Sequence, residues 1–301
     1  TLHCSSAASD VYKRQDNITI DELIQYIKAP DFPTGGTIYG YDGVKEAFHT
    51  GKGRVVMRGK AVIENVNDRE CIIVSEIPYL VNKADMIRKT AELINDGKIE
   101  GISTIRDESD RKGMRIVYVL KRDAIPNIVL NKLYKFTPLQ SSFSVNNVAL
   151  VDGRPQLLNL KDLIHHFVDH RHDVVVKRTT FELKKAEQRA HILEGLIIAS
   201  DNIDDVISLI KKSSNAEEAR LKLEKKYKLS ETQAKAIIEM RLRQLTGLEQ
   251  SKLREEYDDL QKTIKGYKEL LDSKPMRMSL IKEELSEIKE KYGDERRSII
   301  E

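Results

Sequence analysis

The feature that most constrains this 301-residue chain is a repeat of apolar side chains near its C-terminal end. The repeat steps alternately by four and three residues and consists of Leu253, Tyr257, Leu260, Ile264, Tyr267 and Leu271. Such spacing places the apolar residues on one narrow stripe of a helix, which must pack against a second helix to leave water. The register continues through 278–292, although Pro275 must break or kink the helix. The sequence therefore predicts a coiled coil.

The partner for this stripe is expected in the long segment that precedes it. Residues 160–212 contain no proline, a single glycine and apolar residues at helical spacing, which predicts one or two long helices. Shorter helices are predicted over 216–228 and 232–245. The second half is thus predicted to form two long antiparallel helices with a small helical knob at their far end.

The first half, to about residue 155, alternates between strand and helix patterns, which indicates an α+β domain. A strand-like run over 54–66 and a second over 71–77 are predicted to pair as a hairpin across the polar turn 67–70. Short helices are predicted over 16–28, with Asp21 as the N-cap, over 44–49 and over 84–95, and a further strand over 114–120. The fold class is therefore predicted as α+β followed by a long antiparallel α-helical coiled coil.

Composition narrows the class of protein. No apolar run reaches the roughly 18 residues of a membrane span and no signal peptide opens the chain, so a cytoplasmic location is expected. The 51 basic and 48 acidic residues nearly cancel, so any contact with nucleic acid must be local.

Cys71 is expected to be a buried apolar residue, not half of a disulfide. Residues 5–15 resemble a translated sequencing adapter, and we set 1–15 aside as non-native; a genuine disordered N-terminus is the alternative.

Two groups of side chains raise the question of a metal site. The first is the histidine group His165, His166, His170 and His172. Zinc would need further ligands at fixed spacing, so a polar helix face is preferred. The second is the acidic group Asp107, Glu108 and Asp110, which alternates with basic residues and indicates a self-paired loop. No metal site and no nucleotide-binding loop are predicted.

Basic residues recur on the predicted strand that begins at residue 54. By the period of two, Arg54, Arg58 and Lys60 are expected to share one face of that strand, with Lys52 and Lys83 as weaker candidates. A basic ribbon of this kind is typical of contacts to DNA phosphates, which supply affinity without base specificity. An ordinary solvated strand face is the alternative.

Several longer motifs occur in a fixed order along the chain. They are DFPTGG (31–36), GKGRVVMRGK (51–60), EIPYLVNK (76–83), RDESDRKGMRIV (106–117), LNLKDLI (158–164), MRLRQLTGLE (240–249) and KYGDERR (291–297). Together they resemble the A subunits of bacterial type IIA DNA topoisomerases, DNA gyrase more than topoisomerase IV. The resemblance covers 16–301.

The resemblance implies a domain organisation. It suggests the end of a winged-helix region at 16–50, a tower domain at 51–157, outgoing coiled-coil helices at 158–215, an exit-gate knob at 216–248, and the returning helix with the end of the tower at 249–301. It also implies that the nucleophilic tyrosine lies upstream and the C-terminal β-pinwheel downstream. No catalytic residue is therefore expected in this chain.

The resemblance further implies partners. A homodimer is expected through the exit gate, where the knob helix carries apolar residues on more than one face, namely Ile237, Met240, Leu242, Leu245 and Leu248. Double-stranded DNA and a B subunit in an A2B2 complex are also implied. The B subunit would supply the ATP and Mg²⁺ sites, and no cofactor is expected in this chain.

The function implied is part of the DNA breakage-reunion core of an ATP-dependent topoisomerase that introduces negative supercoils. The chain alone is expected to be inactive. Alternatives are the topoisomerase IV A subunit, which decatenates, a non-enzymatic coiled-coil protein that organises chromosomes, and a DNA-binding module without catalysis. The α+β half discriminates between these classes, because a simple coiled-coil protein has no reason to carry its motifs.

Overall fold

The computed structural model describes residues 18–111, 113–240 and 247–301, with side chains from 249 onward in the last range. The chain divides into two compact units. The first comprises the residues up to 169 together with 284–301, and the second comprises 170–283. The first is α+β and the second is helical, so the predicted fold class is confirmed.

The strands in chain order are β1 (Thr37–Ile38), β2 (Lys52–Arg58), β3 (Lys60–Val66), β4 (Arg69–Glu76), β5 (Ile102–Asp107), β6 (Ile116–Leu120), β7 (Gln140–Asn146), β8 (Val148–Val151), β9 (Arg154–Leu157) and β10 (Ile299–Ile300). The helices are α1 (Ile20–Ile24), α2 (Asp42–Thr50), α3 (Lys83–Asn95), α4 (Pro126–Phe136), α5 (Leu160–Asp201), α6 (Ile203–Lys211), α7 (Ala216–Tyr227), α8 (Glu231–Ile238), α9 (Gly247–Asp272) and α10 (Lys274–Tyr292). In these described ranges no helix combines the length and apolarity that crossing a membrane requires.

Gly59 lies between β2 and β3, two consecutive strands that belong to different sheets. One sheet has the order β10-β1-β2-β7 and the other β3-β4-β6-β5, while β8 and β9 pair as a separate hairpin. A Cβ added at Gly59 would lie 2.6 Å from the carbonyl oxygen of Glu76 and 2.7 Å from Leu139 Cδ1. The expectation of one strand over 54–66 was therefore wrong, since Gly59 belongs to neither strand and the two halves, β2 and β3, enter different sheets.

The hairpin of β3 and β4 is confirmed. Its turn is formed by Asn67 and Asp68, both with positive φ (54° and 56°), which suits the tight connection of a twisted ribbon. Cys71 is buried in β4, as expected. The β4 residues Ile72 and Val74 are fully buried against side chains of α3 and α4, so these helices cover one face of the second sheet.

The short helices differ from prediction mainly at their ends. Helix α1 begins after Thr19, not at Asp21: the Thr19 hydroxyl accepts from the Glu22 N–H at 3.3 Å, and the Glu22 carboxylate accepts from the Thr19 N–H at 2.8 Å. This reciprocal pair is a capping box. The helices expected over 44–49 and 84–95 are confirmed as α2 and α3, and the strand over 114–120 as β6.

The second unit contains the predicted pair of long helices. Along the returning helix α9, Leu253 packs against a cluster that includes Leu193, whereas Ile264, later in α9, packs against Ala186. The partner positions on α5 fall as those on α9 rise, so the two helices are antiparallel and the coiled coil is confirmed. A break at Ser273 precedes Pro275 and separates α9 from α10, as Pro275 required.

The first unit is closed by a clasp between two distant chain segments. The guanidinium of Arg296 donates to the carbonyl oxygens of Ala29 and Ser298, each at 2.8 Å. The Asp31 carboxylate accepts from the N–H groups of Ser298 at 2.9 Å and Arg297 at 3.2 Å. Burial raises the pKa of Asp31, but the two N–H donors, the Ser298 hydroxyl and the charge of Arg296 together hold the pKa below its ordinary value. Beside this clasp β10 pairs in parallel with β1.

The α5–α8 crossing of the second unit has room only for glycine at position 195. A Cβ at Gly195 would lie 2.7 Å from the Cβ of Gln233, whose side chain is only 4% exposed. The gain in helix propensity on Gly195→Ala is about 1 kcal/mol. Overpacking against a fixed side chain costs about 1–3 kcal/mol. We expect Gly195→Ala to lower the free energy of unfolding, measured by urea denaturation followed by circular dichroism.

The matched control is Gly266→Ala in α9, where a Cβ would meet nothing within 4 Å. Only the propensity term acts there, so Gly266→Ala should stabilise the protein by up to about 1 kcal/mol. Equal stabilisation by both substitutions would show that Gly195 is not a contact point.

Candidate nucleic-acid interface

The outer face of β2 carries the basic residues that the sequence singled out. Residues alternate along the strand, with Val55 and Met57 buried and Lys52 and Arg54 exposed. Arg58 follows on the same face but is only partly exposed. The alternation places two cations side by side toward solvent while the other face of β2 packs in the core.

Strand β7 completes this face with polar side chains. In the antiparallel ladder Asn146 is opposite Lys52, Ser144 is opposite Arg54, and Ser142 follows two residues further on; all three are exposed. Hydroxyl and amide groups donate hydrogen bonds to phosphate oxygens and so support neighbouring cations. We name Lys52, Arg54, Ser142, Ser144 and Asn146 the polar ladder.

Sequence reasoning missed the β7 half of the polar ladder. The signal was present, because SSFSVN alternates polar residues with Phe143 and Val145. That alternation predicts a half-buried strand, but nothing in a single sequence states that it lies beside β2.

Arg58 is held by other protein groups. Its guanidinium lies 3.3 Å from the ring centroid of Tyr39 and 4.7 Å from that of Tyr134, and its Nε donates to Gln140 Oε1 at 2.7 Å. Stacking of this kind stabilises a cation by about 0.5–2 kcal/mol and fixes its orientation. Arg58 thus braces β2 against its neighbours, with its guanidinium already occupied.

Lys60 lies on a different strand from Arg54 and Arg58. It begins β3 in the second sheet, and its Nζ is 3.9 Å from Glu76 Oε1. The expectation that Arg54, Arg58 and Lys60 share one strand face was therefore wrong, because Gly59 breaks the alternation between Arg58 and Lys60. Whether any of these residues binds DNA stays a prediction.

Lys83 is engaged in an ion pair. Its Nζ is 2.7 Å from Asp107 Oδ2, and hydrogen bonds from Lys83 and from Ser109 lower the pKa of Asp107 to about 2. The carboxylate is thus ionised at neutral pH and offsets the charge of Lys83. Among the five predicted contact residues, Lys60 and Lys83 have carboxylate partners and Arg58 is held by two tyrosine rings and an amide. Lys52 and Arg54 are the two whose side chains show no such partner in the described chain.

The two groups considered as metal sites have other partners. In the acidic loop Glu108 pairs with Arg106 at 3.3 Å and with Arg115 at 3.2 Å, as predicted for a self-paired loop, whereas Asp107 pairs with Lys83 from outside the loop. In the histidine group, His172 Nε2 accepts from Arg277 Nε at 2.9 Å. Across the ranges that the structure describes, no three His, Cys, Asp or Glu side chains are arranged to hold a metal ion.

The predicted dimer residues are only partly within the described chain. Ile237 is 2% exposed and belongs to the core of its own unit, and Met240 packs against that core. Ile237 is therefore not on an exposed surplus face. Leu242 and Leu245, and the side chain of Leu248, lie outside the described residues. The dimer contact stays a prediction.

Comparison with known families gives a match over most of the chain. The model of the family described as the A subunit of DNA gyrase/topoisomerase IV matches residues 6–286. That range includes part of 1–15, whose assignment as non-native stays a prediction.

Curated relatives are similar over nearly the whole chain. The DNA gyrase A subunit of Ureaplasma parvum is 50% identical over 97% of this chain and 35% of its own length. That of Clostridium acetobutylicum is 51% identical over 94% and 34%, and that of Staphylococcus aureus strain Mu50 is 48% identical over 96% and 33%. The chain spans about a third of the length of the curated relatives it matches.

The polar ladder predicts which cations dominate binding to a polyanion. We expect the double reversal Lys52→Glu and Arg54→Glu to weaken binding to a short DNA duplex and to reduce the slope of log affinity against log salt by about two. Fluorescence anisotropy between about 50 and 200 mM salt measures both quantities.

Lys83→Glu is the control for the single substitutions Lys52→Glu and Arg54→Glu. It reverses one charge at a lysine that is already paired with a carboxylate. Because Asp107 already offsets this charge, Lys83→Glu should change the slope by less than Lys52→Glu or Arg54→Glu alone. An unchanged affinity and slope in the Lys52 and Arg54 double variant would show that the polar ladder is only a solvated strand face.

Proposed function

This chain belongs to the family of DNA gyrase and topoisomerase IV A subunits, and we propose that it forms part of the DNA breakage-reunion core of an ATP-dependent type II topoisomerase, a DNA gyrase. The observation that carries the proposal is the similarity to DNA gyrase A subunits at about half identity over nearly all of the chain. In this role the first unit binds the DNA segment that is to be opened, and the coiled coil bears the exit gate.

The geometry of the first unit supports the DNA-binding half of the proposal. Lys52 and Arg54 project from a rigid sheet beside hydroxyl and amide donors, and Arg58 fixes the strand beneath them. These groups contact phosphates and offer no set of base-specific donors, which suits an enzyme that must bind DNA of many sequences.

The partners follow from the same proposal. A B subunit in an A2B2 complex supplies ATP hydrolysis and Mg²⁺, two copies of this chain meet at the exit gate, and the complex works on the chromosome in the cytoplasm. No residue of this chain is assigned to the covalent step, and its nucleophile is placed elsewhere in the whole protein.

The A subunit of topoisomerase IV is the second candidate, because the matching family model covers both enzymes. The relatives named above favour gyrase. The two candidates differ downstream in the C-terminal β-pinwheel, so the adjoining coding sequence decides between them. A coiled-coil protein without enzymatic partners is disfavoured, since the family match includes the α+β unit.

A chimera tests the core function. The matching third of the Staphylococcus aureus gyrase A subunit is replaced by this chain and combined with that organism's B subunit, ATP, Mg²⁺ and relaxed plasmid. We expect ATP-dependent negative supercoiling on agarose gels, because the core and its interfaces are proposed to be equivalent. The unaltered Staphylococcus aureus protein is the control. A folded chimera that binds the B subunit yet leaves the plasmid relaxed would contradict the proposal.

The exit-gate contact gives a prediction about oligomeric state. We expect the full chain to sediment as a dimer at equilibrium and Leu242→Asp to shift it to monomer, because a charge in an apolar two-fold contact is repeated on both copies. Leu221→Asp, at a residue 54% exposed in α7, is the matched control and should remain dimeric. If the unmutated chain sediments as a monomer, the proposed exit-gate contact is contradicted.

A further inference from the structure

Helix α5 carries an exposed aromatic side chain on a basic face of the second unit. Phe181 is 63% exposed, although burying a phenylalanine side chain stabilises a fold by about 1.5–3 kcal/mol. One turn before it lie Lys177 and Arg178, and one turn after it lie Lys184 and Lys185; all four are exposed. We name these five residues the Phe181 face.

The Phe181 face points away from the packing of its own unit. The buried residues of this stretch are Thr179, Ala186 and Ala190, and the last two pack against Ile264 of the returning helix. At about 100° per residue, these three lie on the side of α5 opposite Phe181. The coiled coil therefore leaves the Phe181 ring facing solvent.

The charged side chains of the Phe181 face are all positive. The four cations lie within about 60° of Phe181 around the helix axis, whereas the nearest acidic residues, Asp173 and Glu182, lie about 80–100° away. On the returning helix α9, by contrast, Lys252, Lys262, Lys265 and Lys268 each pair with a carboxylate, Lys268 with that of Glu187 at 2.9 Å. In the described chain no ion pair to a carboxylate involves Lys177, Lys184 or Lys185.

We propose that the Phe181 face is a second binding surface for duplex DNA, separate from the polar ladder. Its two pairs of cations are centred seven residues apart, or about 10 Å along the helix axis. The major groove is about 12 Å wide. Each pair meets the phosphates of one groove wall, and the Phe181 ring enters the groove between them.

The arrangement favours DNA over an acidic peptide. Phosphate walls on two sides of an uncharged groove match two cation pairs on two sides of an uncharged ring. An acidic helix would present its carboxylates as one continuous stripe and would place charge against the ring at the centre. Binding is independent of base sequence, since lysine and arginine here contact phosphates and phenylalanine contacts only apolar groove atoms.

The test measures binding of the full chain to a fluorescent duplex of about 30 base pairs by anisotropy, at salt concentrations from about 50 to 200 mM. The charge variant is Lys184→Glu with Lys185→Glu, and the ring variant is Phe181→Ala. The control is Lys262→Glu with Lys265→Glu, which makes the same charge change on exposed positions of α9. Circular dichroism confirms the helix content of each variant.

We expect the charge variant to weaken binding about tenfold and to lower the salt slope by about two. Phe181→Ala should weaken binding several-fold without changing the slope, because the ring carries no charge. The control variant should weaken binding much less than the charge variant does. If the charge and control variants weaken binding equally, the effect depends only on the overall charge of the chain, and the proposal is overturned. Unchanged binding by Phe181→Ala would also overturn it.

The same variants in the Lys52→Glu and Arg54→Glu background separate this proposal from the proposed function. Loss of the residual binding in the combined variant supports two surfaces. Weakening by the Lys184 and Lys185 reversal, with none by the Lys52 and Arg54 reversal, would keep the Phe181 face and remove the polar ladder. Tighter binding of a poly-glutamate peptide than of the duplex would overturn the assignment of DNA as the ligand.

Discussion

The close approach of the Gly59 backbone to the carbonyl of Glu76 is the constraint on which the first unit depends. The position has no room for a side chain, and it lies between two successive strands that enter different sheets. Arg58, on one side of Gly59, lies against the rings of Tyr39 and Tyr134. Lys60, on the other side, joins the second sheet near Glu76. On β2 this leaves Lys52 and Arg54 as the two exposed cations.

A comparable contact organises the second unit. The buried amide of Gln233 accepts from the Ser230 N–H at 2.9 Å and donates to the His191 carbonyl at 2.8 Å. Burying an amide that makes these hydrogen bonds lowers the stability of the fold little, whereas burying one without partners lowers it by about 1–3 kcal/mol. Gly195 lets Gln233 reach this position. The hydrogen bonds of the Gln233 amide thus fix where α5 and α8 cross, and at that point only a glycine fits at position 195.

Hydrophobic periodicity was sufficient for most of the fold. It predicted the helices of the coiled coil, α2, α3 and the β3–β4 hairpin, because each element shows its own pattern within a short stretch of sequence, and Pro275 predicted the break between α9 and α10. It failed at Gly59, where alternation continues although the strand does not, and at Thr19, whose role as a cap depends on side-chain geometry.

The candidate site was harder to predict because it depends on pairing between distant strands. Ser144 meets Arg54 across 90 residues of sequence, and the rings that hold Arg58 come from Tyr39 and Tyr134. A basic residue with a neutralising or stacking partner looks the same in sequence as one without. Ile237 shows the same limit, since an apolar knob residue can serve a core or an interface.

The clasp at Arg296 has a consequence for synthesis on the ribosome. Asp31 meets Ser298 across 267 positions, whereas the helices of residues 170–283 find their partners within a much shorter stretch. Chains emerge N-terminus first at about 5–20 residues per second, so the segment around Asp31 waits for tens of seconds before its partner exists. During that interval β1 has an unpaired edge. The helical unit, although encoded inside the α+β unit, is therefore the first to be able to complete its fold.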